Sequence, residues 1–147
     1  MLPLFITLYS FFLFAGLHVI SYDIWFYISH LILHHKYFYY IHKQHHYNLK
    51  PTFFYVYTAH WLESPLQMLG IFVPLLFKLQ VAPLIVASIY MNIRGLLRHD
   101  ERGNFAFGNH HMLHHKYIQY NYGEYWIDYL CGTLYPGEKE RVYGYIL

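Results

Sequence analysis

Hydrophobic positions run almost unbroken through the start of the chain and again through its middle, and polar positions take over from Arg94. Residues 2–20 hold no charged side chain, and the first carboxylate is Asp23. About 20 apolar residues cross the hydrocarbon core of a bilayer, so this segment predicts a membrane helix. A second apolar segment, 24–35, carries His30 and His34 and predicts a separate helix at or entering the membrane. The residues from His35 to Lys50 are polar and histidine-rich, which places them in or near water. Lys50-Pro51 interrupts the pattern, because the residue before a proline is pushed away from helix. Between Thr52 and Asn92 the only charges are Glu63 and Lys78. Segments 64–77 and 79–93 predict a helical hairpin turning at Lys78-Leu79-Gln80, flanked by Pro74 and Pro83. At a helical rise of 1.5 Å per residue each covers about 21 Å, so crossing a core of about 30 Å requires extension at one end. After Arg94, Gly103, Gly108, Gly123, Gly132 and Gly137 mark loops between short helices. The pattern predicts a single all-α integral membrane domain over 1–147, with helical hairpins in the bilayer and a histidine-rich helical cap.

Composition agrees with a bilayer as solvent. The chain is 56% hydrophobic and 12% charged, where a soluble domain carries about 25% charged residues. A cleaved leader is the competing reading for residues 2–20, and the lack of a basic start and the length of the apolar run argue against it. A net charge of +2, with no basic run, gives no reason to expect nucleic acid. Cys131 is the only cysteine, which excludes an internal disulfide, a cysteine zinc site and an iron–sulfur cluster within one chain. Every Lys and Arg except Lys78 falls in the segments that carry the histidines, so the positive-inside rule puts the cap in the cytosol. Tyrosines such as Tyr37, Tyr40, Tyr57 and Tyr120 suit a membrane–water interface around the cap.

The chain has thirteen histidines, and their spacing carries the chemistry. They read His30-x3-His34, His42-x2-His45-His46 and His111-x2-His114-His115. Residues three or four apart share a helix face, so each cluster is expected to aim its imidazoles at one point. Imidazole suits zinc, iron and copper. The three sets together exceed one tetrahedral zinc and suffice for two metals. A lone histidine on an apolar face is usually a satisfied core residue, but a twice-repeated triple beside apolar helices is not explained that way. His18, His35 and His110 stand out of register and read as non-ligands.

The motifs in their order resemble the fatty acid hydroxylase and sterol desaturase superfamily of membrane di-iron oxygenases. The matching residues begin with Asp23-Ile24-Trp25-Phe26-Tyr27-Ile28-Ser29-His30, continue to His34, and include Ile41-His42-Lys43-Gln44-His45-His46. They continue through His60-Trp61-Leu62-Glu63, His99-Asp100 and His111-Met112-Leu113-His114-His115. The last stretch, Asn121-Tyr122-Gly123, Trp126-Ile127-Asp128 and Gly132-Thr133, is similar to the C-5 sterol desaturase and C-4 methylsterol oxidase pattern. The resemblance implies two irons held by His30, His34, His42, His45, His46, His111, His114 and His115, with His99 completing the site. His60 reads equally as a ligand or as a structural histidine paired with Glu63. Glu63, Asn121 and Asp128 are candidates for orienting the ligands or fixing the cap.

The resemblance further implies O2-dependent hydroxylation or desaturation of a lipid C–H bond, in a sterol or a fatty acyl chain. Nothing in the sequence resembles a flavin, haem or nicotinamide site, so electrons come from a redox partner such as cytochrome b5. In a eukaryote the expected membrane is the endoplasmic reticulum. The chain departs from the family in its short lead before Asp23, in Leu31 after the first histidine, and in Asp100-Glu101-Arg102-Gly103. The rival reading is a non-catalytic membrane protein that binds or transports metal. A structural zinc module is disfavoured by the excess of ligands and the lack of cysteines.

Overall fold

Residues 2–33, expected as two segments, form one helix in the computed structural model, which describes residues 2–48, 51–78 and 80–146. This helix, α1 (Leu2–Leu33), passes through Asp23 without a break. The only proline in it, Pro3, sits in the first turn, where the missing N–H costs nothing. Asp23 does not cap a helix at the interface: it is 5% exposed and bonded to the guanidinium of Arg94. An internal counter-charge removes the reason for the helix to leave the apolar layer at that residue.

The segment expected as a helix over 64–77 is irregular. It divides into α3 (Glu63–Met68) and a tighter 3-10 stretch, Leu69–Leu76. Pro74 lacks the N–H that a regular helix would use, and the stretch is held instead by side chains of α1. Trp25 Nε1 donates to Leu66 O at 2.7 Å, and His18 Nδ1 lies 2.5 Å from Ile71 O. Gly70 lies so close to α1 that a Cβ there would stand 2.8 Å from Ser21 O and closer still to Trp25 Cβ. The hairpin turn places Lys78 and Gln80 as flanks, while Leu79, like Leu49 and Lys50, lies outside the described residues. The last apolar segment, expected to end near 93, continues as α4 (Val81–Arg98) and delivers Arg94 and Arg98 to the interior.

α1, the 3-10 stretch and α4 share a small core of Ile71, Ala87 and Met91, with Val19, Tyr22, Met68, Leu84 and Tyr90 packed around it. The outward faces stay apolar: Leu13, Leu17, Ile20, Ile24 and Ile28 on α1 and Ile85, Ile89 and Ile93 on α4 are exposed. Thr7–Leu33 and Val81–Arg98 are each long and apolar enough to cross a membrane. Contiguous exposed apolar stripes of that kind suit lipid better than water.

Above the last turns of α1 and α4 sit the short cap elements. They are α2 (Tyr39–His42), a 3-10 turn at His45–Tyr47, α5 (Asn104–Phe107), α6 (His110–Tyr117) and α7 (Tyr125–Cys131). No strand occurs among the described residues. The C-terminal residues close over α5, where Tyr145 N donates to Phe105 O and Ile146 N to Ala106 O.

Candidate metal centre

Nine imidazoles meet where α1 and α4 end. They form two groups: His30, His34, His42, His46 and His114 in one, and His45, His99, His111 and His115 in the other. Within each group the candidate ligand atoms lie within 4.8 Å of one another. All nine are buried except His34, which is partly so.

The grouping corrects the expectation that each sequence cluster converges on one point. Each H-x2-H-H triple is shared between the two groups. His42 and His46 go to one and His45 to the other, and likewise His111 and His115 part from His114. Right-handed helical backbone explains the division: His111–His115 lies within α6, and Lys43 and Gln44 keep helical dihedrals between α2 and the 3-10 turn. At about 100° per residue, position i+4 returns to within about 40° of i, whereas i+3 points about 60° to the other side. The i,i+4 pairs therefore stay together, as His30 and His34 also do, and the i+3 residue serves the neighbouring group.

Hydrogen bonds from outside the groups set the tautomers. His30 Nδ1 is 2.5 Å from Tyr122 O, His114 Nδ1 is 2.6 Å from Tyr120 O and His99 Nδ1 is 2.7 Å from Gly95 O. A carbonyl only accepts, so each of these Nδ1 atoms carries the proton and each Nε2 presents a lone pair. His42 Nδ1 lies 2.8 Å from Glu63 Oε1 and donates to it when that carboxyl is ionised; His30 and His42 then point two lone pairs at each other across 2.9 Å. His42 and His46 approach at 2.9 Å, His34 and His114 at 3.1 Å, and His46 and His114 at 3.2 Å, all through Nε2. In the second group His99 Nε2 is 3.0 Å from both His45 Nε2 and His111 Nε2. Facing lone pairs repel unless a cation lies between them. With metal–nitrogen bonds of about 2.1 Å, ligands at right angles stand about 3.0 Å apart, so these edges fit a shared metal ion.

Electrostatics favour the same occupant. Burial, reinforced by neighbouring imidazoles, holds His34 down to about 3; burial with the His99 charge holds His46 at about 4. His99 is lowered to about 4, chiefly by burial, and His45, His111 and His114 are held well below the ordinary value by burial and by neighbouring imidazoles. These rings are neutral near pH 7, the form that binds metal. Burial pushes the Glu63 carboxyl up to about 8, so a positive charge beyond His42 would favour its ionised form. His115 has no hydrogen-bond partner for either ring nitrogen although it is fully buried. The donor set therefore fits two metal ions.

Asn121 and Asp128 touch none of the nine. They build the loop that does. Asp128, fully buried, accepts from Tyr122 N at 2.9 Å, Gly123 N at 2.8 Å, Thr133 Oγ1 at 2.7 Å and His110 Nε2 at 2.9 Å. Asn121 adopts a φ of 60°, donates to His110 O and accepts from Tyr135 N. Together they hold the carbonyls of Tyr120 and Tyr122 against His114 and His30.

His60 lies outside both groups. It is half-buried, with its ring against Trp61 and Tyr40, and its Nδ1 accepts from Leu62 N at 3.3 Å. The expected pairing with Glu63 assumed one helix through both residues, but α3 begins at Glu63, whose carboxylate turns to His42 instead. His18 is bonded to Ile71, His110 to Asp128, and His35 is exposed; none of the three joins either group.

Sequence reasoning missed the ion network beneath the groups. Arg94 joins Asp23 to Glu124, at 3.2 Å for the latter, and Arg98 grips Glu124 with both terminal nitrogens. It ties α1, α4 and the loop after Gly123 together one turn below His99. The i,i+4 spacing of Arg94 and Arg98 is its only sequence signal.

The family model described as Fatty acid hydroxylase matches residues 15–133. The chain is 32% identical over 136 residues to a Delta(7)-sterol 5(6)-desaturase of Gibberella zeae. That match covers 85% of this chain and 38% of the relative, so the chain spans well under half of the relative's length. No solved structure matches.

Proposed function

The chain belongs to the fatty acid hydroxylase family, and from that premise we propose that it is the metal-bearing core of a membrane lipid oxidoreductase. Two irons would be held by His30, His34, His42, His46 and His114 on one side and by His45, His99, His111 and His115 on the other. The single observation that carries this reading is the convergence of nine imidazoles in two groups whose candidate ligand atoms lie within 4.8 Å of one another, with His30, His99 and His114 committed through Nδ1–H to backbone carbonyls. Bound iron supplies redox chemistry with O2 at a C–H bond of a sterol or acyl lipid. The chain's own residues do the rest: Glu63, Tyr120 O and Tyr122 O orient imidazoles, and α1 and α4 place the site at the edge of the apolar layer. Electrons would arrive from an external carrier of the cytochrome b5 kind. The basic residues around the histidines support a cytosolic cap on a multi-pass membrane protein, in the endoplasmic reticulum of a eukaryote.

A transport role fits less well, because the ligands gather at one end of the helices rather than along a path through them. The test is metal analysis with turnover. Purified chain is expected to hold two irons and to convert membrane lipid with O2 uptake when given a b5-type reducing system. Full conversion by a variant with His45, His46, His114 and His115 all replaced by Ala would overturn the reading.

A further inference from the structure

Four charged side chains meet directly beneath the histidines: Asp23 on α1, Arg94 and Arg98 on α4, and Glu124 at the start of α7. Arg94 reaches Asp23 with both terminal nitrogens and lies 3.2 Å from Glu124 Oε1, while Arg98 takes both oxygens of Glu124. Aromatic rings locate the two guanidinia as well. Tyr22 and Tyr90 lie 5.9 and 5.5 Å from that of Arg94, and Phe107 lies 5.6 Å from that of Arg98. Two cations and two carboxylates leave no net charge. A buried network of this kind roughly breaks even in stability against apolar side chains of similar volume, so what it adds is geometry.

The network ends at the groups that hold two of the imidazoles. Arg94 and Arg98 bracket Gly95, whose carbonyl lies 2.7 Å from His99 Nδ1. In a regular helix that carbonyl would accept from His99 N. Here His99 N turns to Leu96 O at 3.3 Å, which leaves the Gly95 oxygen facing the ring. Glu124 stands two residues after Tyr122, whose carbonyl lies 2.5 Å from His30 Nδ1. Asp23 stands seven residues before His30, two turns along the same face of α1. The network therefore joins the three segments that carry or orient His30 in one group and His99 in the other. His114 is held differently. Its partner, Tyr120 O, is placed by Asn121, which bonds His110 O and Tyr135 N.

We propose that Asp23, Arg94, Arg98 and Glu124 act as one positioning unit that fixes one ligand of each group. By placing Gly95 O and Tyr122 O, the unit holds His99 and His30 in the Nδ1–H tautomer. That tautomer presents Nε2 to a metal, whereas a ring released from its carbonyl can carry the proton on Nε2 and block the lone pair. The unit thus sets the two groups relative to each other, which neither carbonyl contact does alone. The inference rests on the reading of the histidines as a two-metal centre and adds the residues that keep its halves in register.

The test uses the full chain in lipid nanodiscs with isotope-labelled histidine, stripped of metal by a chelator and then titrated with zinc as a diamagnetic probe. Nitrogen NMR of the metal-free wild type is expected to show a protonated Nδ1 and a bare Nε2 at His30, His99 and His114, assigned through His30→Gln, His99→Gln and His114→Gln. Arg98→Leu removes the grip on Glu124. It is expected to lose the Nδ1–H signals of His99 and His30, to keep that of His114, and to lower zinc affinity at both groups about tenfold or more. Arg98→Lys keeps the charge without the two-pronged geometry. It is expected to fall between wild type and Arg98→Leu, and it carries the test if the leucine variant does not fold. His99 and His30 signals that survive unchanged overturn the proposal, as does loss at all three rings together, the mark of general loosening. The expected tautomers in a wild type that binds fewer than two zinc ions would instead sink the two-metal reading and leave the positioning role standing.

Discussion

The two histidine groups differ in how their rings are held. In the group of five, three imidazoles are fixed from outside: His30 by Tyr122 O, His114 by Tyr120 O and His42 by Glu63. In the group of four only His99 has such a partner, the carbonyl of Gly95 one turn back in α4. His45 Nδ1 and both nitrogens of His115 have none. The first group is preorganised by a loop and a carboxylate, whereas the second depends on packing. Outer partners of metal-bound histidines are worth about 10- to 100-fold in affinity, so the difference has a measurable size.

The largest effects come from removing ligands. His115→Ala leaves three imidazoles in the second group and is expected to empty it, giving one metal per chain and at least about 100-fold less lipid conversion. His34→Ala leaves four in the first group and is expected to keep most of that metal. Elemental analysis of the two variants side by side checks this, and equal losses would break the asymmetry. Next comes Asp128→Asn, which weakens the loop behind His30 and His114. Metal affinity of the group of five should fall about 10- to 100-fold, with the group of four unchanged in a competitive chelator titration.

Acid should not discriminate between the groups. Burial holds His46 of one and His99 of the other at about 4, against an ordinary 6.5. In metal-free protein the unfolded chain takes up protons first, so stability is full above pH 6.5 and falls as pH drops toward 4. A melting temperature of the metal-free chain that stays level from pH 7 to pH 4 would contradict this. The smallest effect is expected from His60→Ala, which should leave two metals bound, since no member of either group contacts that ring. A lost metal in that variant would return His60 to the site.

The legible part of the site followed from helical spacing. His30 with His34, His42 with His46 and His111 with His115 are i,i+4 pairs, and each pair shares a group. Spacing misled where residues before the start of a helix were read as part of it. His60 and Glu63 stand three apart, but α3 starts only at Glu63, and the predicted pair does not form. The 64–77 segment was legible as apolar but not as a 3-10 stretch, because that geometry follows from contact with Trp25 and Ser21 of α1. Asp23 looked like the end of a membrane helix because its partner Arg94 lies 71 residues away.

The amino-acid sequence by itself determined the apolar helices, the all-α class, the family and eight of the nine converging histidines, since these depend on local periodicity and residue chemistry. His99 came from the family pattern, having no helical neighbour to pair with. Only the tertiary structure decided how each triple divides, which carbonyl or carboxylate fixes which ring, and that Asp23, Arg94, Arg98 and Glu124 neutralise one another. Those outcomes depend on distances between segments far apart in the chain, and a local pattern carries no record of which buried groups will meet.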